Sequence, residues 1–157
     1  MAAAGPLKLK AVDADDVSVL SAVLQDALVA VGEMAWLPDE RRFVLVANRF
    51  RWEPGTALAR PSFERTLSGL CIDEVRAVRR RGFSPRDGER ILELLAIRAE
   101  GNTLYFDFAG GSSVRLDVDR IHCHLDDFGE PWPTRWRPRH PLDGPDRSRQ
   151  RGSRSGA

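Results

Sequence analysis

Only one stretch of this chain repeats its apolar residues at helical spacing, whereas most of its other apolar stretches alternate at period two. Val17, Leu20, Leu24, Ala27, Leu28 and Val31 lie three or four apart and form one stripe. The stripe predicts a helix over Asp13–Val31. Asp13 caps it, Asp15 and Asp16 oppose its dipole in the first turn, and Gly32 stops it. Leu20, Leu24 and Leu28 are expected to face a sheet, because strands are what the rest of the chain supplies.

Leu7 to Val12 reads as a short strand. Glu33–Leu37 and Arg42–Trp52 flank the turn Pro38-Asp39-Glu40-Arg41, and Phe43–Ala47 is apolar on both faces, as in a central strand. Leu67–Arg80 reads as one strand with an irregularity near Asp73-Glu74. Arg90–Ala99, Thr103–Phe108 and a segment around Val114, Leu116 and Val118 follow, with turns at Ser84–Gly88, Gly101-Asn102 and Gly110-Gly111. Leu67 to Asp119 is thus expected to be an antiparallel meander. Glu53–Thr66, with Pro54-Gly55 and Pro61, has no periodicity and reads as a loop. The fold class is α+β: an antiparallel sheet or partly rolled barrel of six to eight strands, covered by one N-terminal helix.

The 157 residues suit one domain. Residues 1–141 are expected to form it. From Leu142 the chain lacks the apolar groups that offset ordering entropy, so 142–157 reads as a disordered arginine-rich tail. Residues 133–157 hold seven arginines against two aspartates, which sets a basic tail on an acidic body. Arg135, Arg137, Arg139, Arg147 and Arg149 are therefore candidates for binding a partner, since the guanidinium fork pairs with carboxylates or phosphates. No apolar run reaches the roughly 20 residues of a membrane helix. No secretory signal opens the chain, so the expected location is cytoplasmic. Cys71 and Cys123 lack a C-x-x-C frame and read as reduced, buried thiols.

All three histidines lie near one another in sequence, His122 and His124 followed by Asp126 and Asp127, with His140 downstream. In a strand His122 and His124 share a face, and two imidazoles with a carboxylate such as Asp126 suit zinc. The same alternation turns Ile121, Cys123 and Leu125 inward and leaves the histidines in solvent without a defined third ligand. The expectation is accordingly no metal and no cofactor, with His122, His124 and Asp126 as the only weak metal candidates. No nucleophile elbow, phosphate loop or dinucleotide fingerprint occurs, so no catalytic residue is assigned. Adjacent Asp73 and Glu74 face opposite ways and are expected to be solvated or paired with arginines. Arg76, Arg79, Arg80, Arg81, Arg86 and Arg90 cluster about one hairpin end, with only Phe83 as an aromatic neighbour.

Several stretches, Leu9–Gln25 with Asp26, Arg41-Arg42-Phe43, Asn48-Arg49-Phe50-Arg51-Trp52-Glu53, Leu125-Asp126-Asp127-Phe128-Gly129-Glu130-Pro131-Trp132 and Arg139-His140-Pro141, resemble an uncharacterised alphaproteobacterial family known only as a domain of unknown function. The resemblance spans about residues 7–141 and implies no activity. Three readings follow. The leading one is a non-enzymatic binding or adaptor domain of a bacterial cytoplasm, with a protein partner. The second is a small metal-dependent hydrolase using the His122–Asp127 cluster. The third is nucleic-acid binding through the basic hairpin and tail, which would weaken steeply with salt.

Overall fold

The computed structural model describes residues 6–50 and 65–128. Ten strands and one α-helix run in the order β1 (Lys8–Ala11), α1 (Ala14–Val23), β2 (Leu28–Ala30), β3 (Met34–Leu37), β4 (Arg42–Phe50), β5 (Arg65–Ile72), β6 (Val75–Arg81), β7 (Ile91–Glu100), β8 (Thr103–Phe108), β9 (Ser113–Val118) and β10 (Cys123–Asp127). They form one open antiparallel sheet in the order β1-β10-β5-β4-β2-β7-β8-β9-β6, with β3 pairing the first half of β4. The α+β class and the single helix agree with the sequence. The strand number is ten, not six to eight.

Two local departures account for the difference. The helix starts as expected: the Asp13 carboxylate accepts from the Asp16 amide at 2.8 Å, and the Asp16 carboxylate accepts in return from Val12 N–H at 2.9 Å. It ends at Val23, not Val31. Asp26 adopts a left-handed φ of 67°, which turns the chain out of the helix. Asp26 and Ala27 then exchange backbone bonds with Leu94, at 2.8 Å each. The second half of the apolar stripe is therefore the start of β2, where β-branched Val29 is buried. Gly32 is no helix stop. It lies in a one-turn 3-10 helix packed on Gly88, and a Cβ on Gly32 would sit 2.9 Å from the Gly88 carbonyl oxygen.

The second departure is at Asp73-Glu74. The irregularity is a complete break, with Glu74 at φ 60°, and it divides the expected long strand into β5 and β6. These do not pair with each other: β5 lies between β10 and β4, and β6 joins β9 at the far edge. The meander is thus restricted to β7-β8-β9.

The sheet folds over itself so that Phe43 of β4 and Phe106 of β8 meet with ring centroids 6.5 Å apart. The core between the halves includes Leu45, Leu70, Ile72, Leu94, Leu104, Leu116 and Leu125, all essentially inaccessible. Val17, Leu20 and Leu24 of the helix side join it, while Leu28 is half-buried in β2. Helix α1 packs on β7 and β1. Where the β7 ladder breaks between Leu94 and Ala96, the Ser21 hydroxyl oxygen accepts from the Ile97 amide at 2.9 Å. Among the described residues no helix is long and apolar enough to cross a membrane. The expected loop over Glu53–Thr66 falls mostly outside the described residues, and the tail over 142–157 wholly so.

Candidate functional site

On the outer face of the sheet, β10 and β5 bring a group of ionisable side chains together. Their register pairs Cys123 with Ile72 and His124 with Cys71. Cys123 and Ile72 point into the core, at 2% and 0% exposure. By alternation their neighbours point outward. His124 lies across from Cys71, and His122 lies across from Asp73, whose amide donates to the His122 carbonyl at 2.9 Å. The left-handed turn at Glu74 begins just beyond Asp73, so this carboxylate sits at the end of β5, still in register with the histidines.

The Asp73 carboxylate divides its two oxygens. Oδ1 accepts from Arg42 Nε at 2.9 Å and lies 3.8 Å from the Cys71 thiol, which donates to it. Oδ2 faces His122 Nδ1 at 3.5 Å and His124 Nε2 at 3.9 Å. Neither distance is that of a hydrogen bond. The three ligand atoms lie within 4.8 Å of one another, and the two imidazole rings meet edge to face at 4.7 Å. All three side chains are partly open to solvent, from 20% for Asp73 to 40% for His124. Ligand atoms at the corners of a zinc tetrahedron with 2.0–2.1 Å bonds are about 3.3 Å apart. The group thus needs shifts of well under about 2 Å to hold such an ion.

Both histidines and their shared face are legible in the sequence, which points to Asp126 as the carboxylate. Asp126 shares that face too, yet it pairs with Lys8 and Gly69, a further two residues along β10, about 7 Å from His124. Asp73 takes its place. The signal was available in the pairing of Cys71-Ile72-Asp73 with His122-Cys123-His124, two outward-inward-outward triplets, but using it requires knowing that β5 and β10 are neighbours. Cys71, expected to be buried, is only half-buried. Desolvation by burial, with Asp73 adding to it, pushes its thiol up to about 11, so it is protonated at neutral pH and no nucleophile. Burial pushes Cys123 to about 12.

Asp127 has a different role. It faces Arg49, which is 1% exposed, and the two form a buried pair with the Arg49 Nη2 donating to Oδ2 at 2.7 Å. The Ser68 hydroxyl, Arg49 Nε and the Leu7 amide complete its hydrogen bonds. Every carboxylate lone pair toward the protein is thereby engaged, so this is a structural clamp between β4, β5, β10 and the chain before β1.

Two of the arginines about β6 have partners within the fold. Arg76 pairs with Asp119, and Arg90 donates to the Gly82 carbonyl. Across β9 and β8, Arg79 lies beside Arg115 and Arg115 beside Tyr105. Tyr105 carries Arg98 at 4.5 Å and Arg115 at 5.9 Å, a stacking aromatic whose place beside these arginines only the strand pairing reveals. Arg98 and Arg115 are neutralised by Asp107, Glu100 and Asp117. β6, with Arg76, Arg79, Arg80 and Arg81, forms one edge of the sheet, where charged side chains disfavour pairing with another strand. The candidates Arg135, Arg137, Arg139, Arg147 and Arg149 lie outside the described residues.

No curated protein and no solved structure matches the chain. A family described as "Protein of unknown function (DUF2948)" matches residues 7–140. Two of the segments that carried the resemblance meet in space, where Arg49 from one clamps Asp127 from another. With most of its length covered by that match, the chain belongs to this family of unknown function.

Proposed function

We propose that the chain is a metal-binding domain that acts by binding, not by catalysis, and that Asp73, His122 and His124 take one divalent ion of the zinc type. One observation carries the reading. A single carboxylate oxygen faces two imidazole nitrogens at 3.5 and 3.9 Å without hydrogen-bonding to either, while its sister oxygen is held by Arg42. Fixing the second oxygen of a ligating carboxylate is a usual feature of metal sites, since it orients the first. Imidazole nitrogen with carboxylate oxygen suits zinc and its neighbours better than magnesium or calcium, which prefer oxygen alone. The expectation of no metal, made when the histidines lacked a third ligand, gives way to this proposal because Asp73 supplies one. Two free thiols, Cys71 and Cys123, suit a reducing compartment, so we place the domain in a bacterial cytoplasm.

Metal analysis and zinc calorimetry on untagged protein test the reading. One equivalent per chain is expected, lost in Asp73→Asn and in a His122→Ala/His124→Ala double variant. An absence of zinc binding, or binding that these variants leave unchanged, overturns it.

A further inference from the structure

We infer that Cys71 is the fourth ligand of this site, making it a closed centre of two histidines, one aspartate and one cysteine that selects thiolate-accepting ions. The inference rests on the metal-binding reading above and deepens it. Its basis is the geometry of two adjacent antiparallel strands. Ile72 and Cys123 form a directly opposed inward pair. The four residues flanking them, Cys71 and Asp73 on β5 and its end, His124 and His122 on and before β10, therefore emerge on the outer face as two opposed pairs. Opposed side chains in such a ladder start about 4.5–5.5 Å apart at Cβ, and successive same-face residues about 7 Å apart. Four side chains that carry ligand atoms thus emerge around one small quadrilateral: those of Asp73, His122 and His124 already lie within 4.8 Å of one another, and the Cys71 sulfur, on the Oδ1 side of the carboxylate, would join them by rotation about its χ1.

Within that quadrilateral Cys71 differs from the other cysteine. Cys123 is enclosed in the core, whereas Cys71 is half-buried on the histidine side of the sheet, with its sulfur 3.8 Å from the Asp73 carboxylate. Charge supports the same set. A carboxylate and a thiolate together cancel the two positive charges of the ion, so Arg42 remains beside a neutral centre and keeps its bond to Asp73 Oδ1. On binding, the thiol proton leaves to solvent. A four-ligand centre has no position for a water molecule, which is the mark of a structural or regulatory site, whereas a catalytic zinc keeps one position open.

Cobalt(II) titration of the untagged, metal-free chain, followed by absorption, tests the assignment. The expected result is the intense visible spectrum of four-coordinate cobalt at one equivalent, with a near-ultraviolet thiolate-to-cobalt charge-transfer band. Cys71→Ser should abolish that band and weaken binding more than about tenfold. Cys123→Ala should retain both. Should Cys71→Ser fold poorly, the band retained by Cys123→Ala, whose one remaining thiol is that of Cys71, decides the matter. Cobalt bound by the wild type without the charge-transfer band, and equally by Cys71→Ser, overturns the fourth ligand while leaving the three-ligand site standing. No cobalt and no zinc bound by the wild type overturns both.

Discussion

Arg49 and Asp127 are the most consequential single residues outside the candidate site. Their side chains are 2% and 5% exposed, and a lone charge at such depth is costly. Burial alone would raise the Asp127 carboxyl, but hydrogen bonds from Arg49, Ser68 and the Leu7 amide outweigh it and hold the group below its ordinary value. A carboxyl depressed in the folded state contributes stability that is fully present above its unfolded value, near about 4, and is lost as pH falls through the lower folded value. Asp127→Asn is therefore expected to cost about 3–5 kcal/mol near neutral pH, measured by urea denaturation. The gap between variant and wild type should narrow below about pH 4. A gap that stays constant from pH 7 to pH 3 would show that the clamp works by shape and not by charge. Both residues were visible as members of family-like stretches, but their partnership spans 78 positions and no local pattern encodes it.

At the scale of elements, the instructive one is the helix. Its start was legible because caps are local: Asp13, Asp15 and Asp16 act within one turn. Its end was not. The apolar spacing runs on through Ala27 and Val31, and what ends the helix is the left-handed Asp26 together with the backbone bonds that Leu94 offers across the gap. A strand partner remote in sequence thus overrides a helical period. Leu24 is fully enclosed at the helix end, so Leu24→Ala should cost about 2–5 kcal/mol in chemical denaturation. An unchanged midpoint would mean that the helix is not packed as described. Ser21→Ala removes the acceptor for the Ile97 amide at the β7 break. It should cost about 1–3 kcal/mol and speed hydrogen exchange at Ile97 selectively.

For the molecule as a whole, the proposed centre would couple metal to stability. Its ligands come from the end of β5 and from the entry to β10, positions about fifty residues apart in sequence that only the folded sheet assembles. An ion held by the folded state alone stabilises it by about 2.7 kcal/mol at a free concentration one hundred times Kd. Zinc should therefore raise the thermal midpoint of the wild type, and should leave that of the His122→Ala/His124→Ala variant in place. A variant that is stabilised as much as the wild type would locate the zinc elsewhere.

What the amino-acid sequence determined by itself was whatever depends on a few neighbouring residues. Period two against period 3.6 set the class, one helix over an antiparallel sheet. The parity of β10 turned Cys123 and Leu125 inward and left His122 and His124 outside as a pair. For Asp73 and Glu74 the sequence left solvation and pairing with arginines both open, and they pair with Arg42 and Arg120. Tertiary structure alone decided which strands are neighbours, because register between distant segments is chosen by burial of the whole inner face and not by any one stretch. That choice sets β5 beside β10 and sends β6 to the opposite edge. It puts Asp73, not Asp126, before the histidines, and it brings Cys71 to the same face. Side-chain parity is a property of one strand, whereas a four-cornered site is a property of two, and the second strand is found only when the chain has closed its core.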